Sequence, residues 1–256
     1  MSGTYDPRLA IEGQGPPLIL VAGLDGTGLL FYRQIPLLAP AFRVSSYALR
    51  DAATTMRQLV ADLDKVVDGV AERDERVIIV GESFGGALAM SFALAFPHRI
   101  RGLVVLNSFP CLVPQWRLRA AIGALRAMPW SAMRIVRRVT ASRLHSRHTH
   151  RRERERFLQL TARASREGYI NRLRMLIEYD IRDRLSELDV PTLFLAANED
   201  HLVPSVTQAR FMAERVPGSV LRVLAGHGHN CLLSPDLDLG AIVRTWWTSS
   251  RVNGAS

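Results

Sequence analysis

Gly81 to Gly85 place a serine between two glycines, in the pattern G-x-S-x-G. An apolar run at 76–80 precedes the pattern, and small apolar residues at 87–96 follow it. A strand, a tight turn and a helix in this order expose a serine hydroxyl at the strand end, where it can attack a substrate. The alternative meaning is a glycine-rich turn without chemistry. The flanking elements favour Ser83 as a nucleophile.

A nucleophilic serine needs a histidine as general base and a carboxylate that orients the histidine. Asp200 follows an apolar run at 192–196, and His229 follows another at 220–224. The carboxyl ends of parallel strands share one edge of a sheet, so both residues would lie near Ser83. The sequence therefore predicts a Ser83–His229–Asp200 triad.

Two neighbouring residues compete for these roles. Glu199 could serve as the acid, although a solvated loop charge is its simpler interpretation. His227 could serve as the base. A leucine, a loop of three residues and then Gly-His is a common ending for such a strand, and residues 224–229 reproduce it. The pattern therefore favours His229 over His227.

The oxyanion of an acyl-transfer reaction needs two backbone N–H donors. One donor would be the amide of Phe84, the residue after the nucleophile. The other would come from the loop after the first long apolar run, at 22–26, where Leu24 lies between glycines. We therefore expect Leu24 and Phe84 to form the oxyanion hole.

Short apolar runs alternate with helical patterns along much of the chain. Continuous apolar runs are typical of strands buried on both faces, as in a mostly parallel sheet covered by helices. The predicted fold class is therefore α/β. The predicted strands are 18–22, 42–48, 76–80, 103–106, 192–196 and 220–224, and the predicted helices are 26–38, 54–70, 87–96, 206–216 and 237–247.

Residues 110–188 interrupt this alternation with helical patterns alone, which predicts a helical cap inserted between two strands. Residues 1–109 and 189–256 would then form the core. The most polar part of the cap, 143–156, is expected to be a mobile connection or an exposed helix start. The apolar residues of the cap are expected mainly to pack it, and some of them could line an acyl pocket: Trp116, Met128, Trp130 and Met133.

The formal net charge is +9, and residues 111–190 hold 18 arginines against eight acidic residues. A solvated surface is the simpler interpretation of this excess. The alternative is guidance of an acidic partner, such as an acyl carrier, a coenzyme A ester or an anionic surface. Aromatic residues are not interleaved with the arginines, so nucleic acid is not an expected partner.

The motifs around Ser83, Asp200 and His229 resemble those of the α/β-hydrolases over nearly the whole chain. More narrowly, Gly23-Leu-Asp-Gly-Thr-Gly28 and Gly81-Glu-Ser-Phe-Gly-Gly86 resemble the esterase, lipase and thioesterase branch that includes plant phytyl ester synthases and bacterial relatives. Some members of that branch transfer acyl groups to alcohols. The chain ends soon after the triad, without their additional acyltransferase domain, which favours hydrolysis.

The resemblance implies a serine hydrolase that cleaves a carboxylic ester through an acyl-enzyme intermediate. An acyl thioesterase or an acyltransferase would use the same triad. A basic binding protein on a hydrolase scaffold is the non-enzymatic alternative, against which the complete set of nucleophile, base and acid argues.

Other patterns in the sequence exclude several classes. No nucleotide-binding glycine motif follows a predicted strand, so no cofactor is expected. His145, His148 and His150 lie among arginines without carboxylate or cysteine at ligand spacing, and no metal site is expected. Two cysteines, Cys111 and Cys231, cannot form a disulfide framework. No run is long enough to span a bilayer, and residues 1–7 do not resemble a secretion signal, so the cytoplasm is the expected compartment.

Overall fold

The computed structural model describes residues 8–253, and a seven-stranded sheet lies at the centre of this range. The strands are β1 (Arg8–Glu12), β2 (Pro17–Val21), β3 (Arg43–Tyr47), β4 (Val77–Glu82), β5 (Ile100–Leu106), β6 (Thr192–Ala197) and β7 (Val220–Leu224). Their spatial order is β1-β3-β2-β4-β5-β6-β7. Every neighbouring pair is parallel except the antiparallel edge pair β1–β3, which confirms the predicted mostly parallel sheet.

Helices connect the strands and cover both faces of the sheet. They are α1 (Ile35–Leu38), α2 (Met56–Val70), α3 (Phe84–Ala95), α4 (Gln115–Ala127), α5 (Met133–Leu144), α6 (Arg151–Thr161), α7 (Arg166–Glu178), α8 (Ser205–Ala213) and α9 (Leu239–Asn253). Short 3-10 segments occur at Leu29–Arg33, Pro97–Arg99, Trp130–Ala132, Arg182–Glu187 and Cys231–Leu233.

The central strands are buried on both faces, as their continuous apolar sequences predict. Alternate side chains of β4 enter two different apolar clusters. Ile79 belongs to the cluster that contains residues of α2, α3 and α8, and Val80 belongs to the cluster that contains residues of α9. Because successive side chains of a strand point to opposite faces, helices on both sides are needed to bury them. The two clusters together fix the sheet that carries the candidate site.

Strand β1 was not among the predicted strands. Its sequence, RLAIE, mixes charged and apolar residues and lacks a continuous apolar run. It pairs with β3 at the edge of the sheet, where only one neighbouring strand is needed. The predicted absence of a secretion signal concerns residues 1–7, which lie outside the described residues.

The helix predicted over 54–70 is confirmed, whereas the helix predicted over 26–38 is not. Helix α2 begins after Thr55, whose side chain accepts from the Gln58 amide in a capping box, and its apolar face packs on the sheet as predicted. The helix predicted over 26–38 is instead a 3-10 segment followed by the short helix α1. The Asp25 side chain accepts from the Thr27 amide at 2.9 Å in the preceding turn.

Helices α4, α5, α6 and α7 lie between β5 and β6, in the segment that was predicted to form a cap. Apolar residues of α4, α5 and α7 belong to the same cluster as α2 and α3, including Leu118, Ile122 and Leu173. These three helices therefore have no separate core, and their position depends on packing against the rest of the domain.

The polar segment 143–156 contains an exposed helix start, one of the two predicted alternatives, since α6 begins at Arg151 with Arg151 and Arg152 exposed. The connection before this helix is not exposed throughout. His145, Ser146 and Thr149 are buried between α5 and α6. The Asn230 amide donates to the Leu144 carbonyl at 2.7 Å, so this part of the cap binds a loop at the carboxyl edge of the sheet. Long-range hydrogen bonds of this kind leave no periodic pattern in the sequence.

Among the described residues, no helix is long and apolar enough to cross a bilayer.

Gly85→Ala is expected to lower the free energy of unfolding by about 1–3 kcal/mol, because its methyl group would overlap backbone atoms. A Cβ at Gly85 would lie 2.6 Å from the Ala22 carbonyl oxygen and 2.8 Å from the Val21 carbonyl carbon. Urea unfolding followed by tryptophan fluorescence measures the change.

Gly123→Ala is the matched control, because a Cβ there meets no atom within 4 Å. It lies in helix α4, where alanine is preferred to glycine by about 0.5–1 kcal/mol. Equal unfolding free energies for the two variants would contradict the close approach of α3 to β2.

Candidate active site

Ser83 lies in the turn between β4 and α3, in a backbone conformation that side chains rarely adopt. Its φ is 54° and its ψ is −117°. Such a conformation costs on the order of 1–3 kcal/mol and persists only where the surrounding structure enforces it. The Ser83 amide donates to the Leu106 carbonyl at 2.9 Å, and the Ser83 carbonyl accepts from Ser108 Oγ at 2.7 Å. Strand β5 and the loop after it therefore hold the turn.

Glycines around Ser83 allow the strand, the turn and the helix to come into contact. A Cβ at Gly81 would lie 2.6 Å from the carbonyl carbon of Gly85, and a Cβ at Gly86 would lie 2.5 Å from Ser108 Cβ. Any larger residue would push α3 away from the strand ends. The glycines of the sequence pattern are therefore required by packing at the turn.

The structure brings Ser83, His229 and Asp200 together in one chain of contacts. His229 Nε2 lies 3.1 Å from Ser83 Oγ, and His229 Nδ1 lies 2.7 Å from Asp200 Oδ2. The side chains of Asp200 and His229 are 0% and 5% exposed. This arrangement allows a proton to pass from the serine hydroxyl to a histidine held by a buried carboxylate.

Asp200 is fixed by several donors after the end of β6. Its Oδ1 accepts from the amides of Leu202 and Val203 at 2.9 and 3.0 Å, and its Oδ2 accepts from Ser205 Oγ. Burial alone would raise the pKa of Asp200, but hydrogen bonds from His229, Ser205 and Val203 outweigh burial and lower it. The carboxylate therefore stays ionised beside His229.

The pKa of His229 lies above its ordinary value of 6.5. Burial opposes the charged imidazolium, but the hydrogen bond and negative charge of Asp200 outweigh burial, with a further contribution from Glu82. With a proton on Nδ1 directed to Asp200, the neutral ring leaves Nε2 free to accept from Ser83. This is the tautomer that a general base requires.

Glu199 and His227, the alternative acid and base of the sequence analysis, contact other residues. Glu199 Oε2 accepts from Arg147 Nε at 2.8 Å, on the cap side of the loop. His227 Nδ1 lies 3.1 Å from Ser146 Oγ. The structure therefore places His229, and not His227, against Ser83.

The predicted oxyanion donors lie on the two expected segments. Phe84 is the first residue of α3, and Leu24 lies in a turn closed by a 3.0 Å hydrogen bond from the Gly26 amide to the Gly23 carbonyl. Within the described part of the chain, neither amide donates to a protein acceptor. Their role as oxyanion donors stays a prediction.

Glu82 is a buried acid of the site that the sequence analysis did not single out. Its Oε1 lies 3.5 Å from His229 Nε2, and its side chain is 9% exposed. Burial raises the pKa of Glu82 to about 7, the charge of His229 opposes this rise, and Asp25 and Asp200 add to it. The variable position of G-x-S-x-G carries no residue preference, so no pattern in the sequence pointed to this group.

Asn107 is a second residue that the sequence analysis missed. It follows β5 with a φ of 48° and is 1% exposed. Its Oδ1 accepts from the Ala197 amide at 2.8 Å, and its Nδ2 donates to the His229 carbonyl at 2.9 Å. Asn107 thus joins the end of β6, which leads to Asp200, to the loop that carries His229. Its place directly after a predicted strand was the available signal.

The residues predicted to line an acyl pocket lie in different surroundings. Met133 is buried and Met128 is partly buried within the cluster shared by cap and core. Trp130 stacks edge-on against Tyr169, with their ring centroids 6.0 Å apart. Trp116 is 64% exposed, beneath the guanidinium of Arg117. Contact with a substrate stays a prediction for all four.

Metal ligands and thiols are the other chemical groups to consider, and Cys231 Sγ accepts from Asn107 Nδ2 at 3.4 Å beside the site. Among the described residues, no group of three or more histidine, cysteine or acidic side chains could hold a metal ion. Cys111 and Cys231 are free and buried, and burial raises the pKa of both thiols. A thiol held in its neutral form is a weak nucleophile.

A serine on a strained strand-to-helix turn, at the carboxyl edge of a mostly parallel sheet, defines an α/β-hydrolase fold. The model of the serine aminopeptidase S33 family matches residues 43–236, and the chain belongs to this family of hydrolases.

The chain is also similar to individual hydrolases in sequence and in fold. The chain is 31% identical over 242 residues to "Putative carbamate hydrolase RutD" from Yersinia enterocolitica, covering 86% of this chain and 84% of that protein. It is 27% identical over 236 residues to "Pimeloyl-[acyl-carrier protein] methyl ester esterase" from Aeromonas hydrophila, covering 87% and 91%. A hydrolase from Pseudomonas aeruginosa has the same fold, with a TM-score of 0.83, 22% identity and coverage of 93% and 92%.

Glu82→Gln is expected to move the acid limb of the pH profile of kcat/KM to lower pH. Ionised Glu82 raises the pKa of His229, so a neutral amide lowers that pKa, although only to the extent that Glu82, with its pKa of about 7, is ionised over the acid limb. His229 then stays unprotonated, and able to act as a base, at lower pH. Hydrolysis of a neutral ester between about pH 5 and 9 measures the shift.

Asp62→Asn is the control for Glu82→Gln, because it also neutralises a buried acid. Asp62 pairs with Arg50 at 2.8 Å, on helix α2 and away from the triad. It should leave the acid limb at its wild-type pH. An acid limb of Glu82→Gln that stays in place or moves to higher pH would contradict the coupling between Glu82 and His229.

Proposed function

We propose that this hydrolase cleaves a carboxylic ester through a covalent acyl-enzyme intermediate on Ser83. The observation that carries the proposal is the buried chain from Ser83 Oγ to His229 Nε2 at 3.1 Å and from His229 Nδ1 to Asp200 Oδ2 at 2.7 Å. It supplies nucleophile, base and orienting acid at hydrogen-bond distances.

In the acylation step, Ser83 Oγ attacks the acyl carbon while His229 Nε2 takes the hydroxyl proton. Asp200 holds the ring by Nδ1 and stabilises the imidazolium that forms. The amides of Phe84 and Leu24 would bind the oxyanion, and one such donor is worth about 10²–10³ in kcat. The tetrahedral intermediate collapses when the bond to the leaving alcohol breaks and the imidazolium gives that alcohol its proton.

Deacylation repeats these steps with water as the nucleophile. His229 takes a proton from a water molecule, the resulting hydroxide attacks the acyl carbon, and Ser83 leaves with the proton of the imidazolium. The products are the carboxylic acid and the regenerated serine. An alcohol in place of water would give acyl transfer, and a thioester in place of the ester would give thioesterase activity.

Relatives support the ester as substrate class but leave alternatives. A methyl ester esterase of 27% identity favours a carboxylic ester, and a protein of 31% identity named for carbamate hydrolysis favours a carbamate as a second candidate. Both substrates present an acyl carbon to a nucleophile. The narrower resemblance to bacterial relatives of the phytyl ester synthases stays a prediction, as does the cytoplasm as compartment.

Exposed arginines of the cap support a proposal about the kind of substrate that reaches the site. Arg151 and Arg152 begin helix α6 and are exposed, although Arg151 also pairs with Glu155 at 2.9 Å. Exposed arginines can raise the association rate of an anionic substrate, and their fork-shaped head groups suit phosphates. We infer that the cap guides an acyl donor bearing phosphate groups, such as an acyl carrier or a coenzyme A ester.

Ser83→Ala should lose nearly all activity, at least about 10³-fold in kcat/KM, because no other hydroxyl replaces the nucleophile. The assay is hydrolysis of p-nitrophenyl esters, acyl thioesters and a carbamate. A fluorophosphonate should label the wild type once, at Ser83, as read by peptide mass spectrometry. Labelling at another residue, or full activity of the variant, would refute the mechanism.

The two histidines provide the matched pair for this test. His229→Ala should lose activity about as severely as Ser83→Ala, because the triad acts as a unit. His227→Ala should keep most of it, since His227 contacts Ser146. The reverse order would refute the assignment of the base. Hydrolysis of no substrate in the panel, with no labelling, would favour the binding-protein alternative.

The double variant Arg151→Glu/Arg152→Glu should lower kcat/KM for a phosphate-bearing acyl donor by about tenfold or more, because steering depends on local charge. Turnover of a small neutral ester should stay nearly unchanged. Raising salt from about 0.05 to 0.3 M should reduce the same rate in the wild type, since screening shortens the range of the field.

Arg73→Glu/Arg76→Glu is the control for this double variant. It changes the net charge equally, on exposed residues before the amino end of β4, opposite the carboxyl edge that carries Ser83. Equal losses for the two double variants, or equal losses for both substrates, would show that the arginines of α6 do not guide the substrate.

A further inference from the structure

Arg172 on helix α7 is a cationic residue of the cap interior, with a side chain only 1% exposed. Burying a guanidinium is unfavourable unless its charge and its N–H groups are satisfied. Nη1 donates to Asp51 Oδ1 at 3.0 Å, but that carboxylate side chain is 45% exposed. A buried ion pair by itself is weak evidence for a stabilising role. The remaining N–H groups of Arg172 show what else the residue does.

These remaining groups bind the backbone of the loop after β2. Nε donates to the Leu24 carbonyl at 2.9 Å, and Nη2 donates to the Asp25 carbonyl at 3.2 Å. Two successive carbonyls are therefore matched by the planar fork of one guanidinium, a geometry that a lysine ammonium cannot reproduce. Leu24 is the residue whose amide is predicted to bind the oxyanion.

The carbonyls on either side are held by backbone donors. The Gly23 carbonyl accepts from the Gly26 amide at 3.0 Å, and the Gly26 carbonyl accepts from the Leu49 amide at 2.8 Å. Because a peptide group is planar, a bond to its carbonyl also fixes the direction of its N–H. The Asp25 carbonyl and the Gly26 N–H share one peptide plane, so the bond from Arg172 Nη2 fixes the N–H that binds the Gly23 carbonyl. The Gly23 carbonyl in turn shares its plane with the Leu24 N–H, whose direction therefore depends on Arg172.

Two glycines make room for the guanidinium. A Cβ at Gly26, where φ is +72°, would lie 2.5 Å from Arg172 Cζ. A Cβ at Gly168, one turn earlier on α7, would lie 2.6 Å from Arg172 Nη2 and would also overlap the Asp51 carboxylate. The loop and the helix are therefore both shaped around this one side chain.

We propose that Arg172 is a positioning residue, which holds the Leu24 amide in the direction needed to bind the oxyanion. The proposal rests on the proposed ester hydrolysis through Ser83. Without Arg172 the Asp25–Gly26 peptide plane can rotate, and its Gly26 N–H no longer holds the Gly23 carbonyl. The Gly23–Leu24 plane, and with it the Leu24 N–H, then loses its fixed direction. A misplaced donor weakens binding of the transition state and leaves ground-state binding of the ester unchanged.

Arg172→Lys keeps the positive charge and tests this geometry directly. We expect kcat to fall by about 10- to 100-fold with little change in KM. A trifluoromethyl ketone forms a hemiketal oxyanion with a serine, so its inhibition constant should rise in parallel with the loss in kcat. Binding of the corresponding alcohol, which forms no oxyanion, should stay at its wild-type affinity.

Asn171→Ala is the matched control on the same helix. Asn171 is buried, and its Nδ2 donates to the Asp51 carbonyl at 2.9 Å, so its loss also removes a contact between cap and core. It has no bond to residues 24–26 in the structure. Both variants should lower the melting temperature, but only Arg172→Lys should lower kcat and weaken the ketone. Equal kcat values for the two variants would overturn the proposal.

Asp51→Asn decides the matter if Arg172→Lys does not fold. It removes the anionic anchor that holds the guanidinium against the loop, so both bonds from Arg172 to the loop carbonyls weaken. A several-fold fall in kcat with unchanged KM would support the positioning role, and wild-type kcat would overturn it. Activity or phosphonate labelling that survives Ser83→Ala would instead refute the ester hydrolysis itself, which separates the two failures.

Discussion

The backbone of Ser83 is the constraint on which the rest of the site depends. A serine at φ 54° is unfavourable and must be enforced by its surroundings. Strand β5 and the loop after it bind the Ser83 amide and carbonyl, and glycines let α3 approach the strand ends. The free energy for this conformation comes from burial of β4 and α3, whose apolar residues fill the interior. The stability of the sheet and the conformation of Ser83 are therefore coupled in one turn.

The parallel sheet solves the problem of bringing distant residues together. Ser83 follows β4, Asp200 follows β6 and His229 follows β7, and these strand ends lie at one edge. That shared edge brings the three residues near one another, but hydrogen-bond distances also require that the loops carrying them be held in place. Asn107, after β5, binds the backbone at Ala197 and at His229, and so sets the spacing between the acid and base loops.

The sequence predicted what local patterns encode and missed what long-range contacts decide. Apolar runs marked six of the strands, although polar residues interrupt those of β3 and β7. The residues after three of them included Ser83, Asp200 and His229, which lie at hydrogen-bond distances. Edge strand β1 was missed because its sequence mixes charged and apolar residues. An edge strand pairs with only one neighbouring strand and does not need a continuous apolar run. The burial of Ser146 was missed as well, since its hydroxyl binds His227 across 81 positions of the chain. No periodicity can report such a pairing.

The arginines of the cap show why a net charge does not define a function. Arg172 is buried and binds loop carbonyls, Arg137 is buried against the rings of Trp130 and Tyr169, and Arg151 faces solvent. A buried guanidinium acts through directed hydrogen bonds and stacking, whereas an exposed one acts through a field that salt screens. One residue type thus contributes positioning, packing and surface charge to the same segment. Only the exposed arginines can meet an incoming anion, so the arginine count of the cap overstates the charge that the cap presents to solvent.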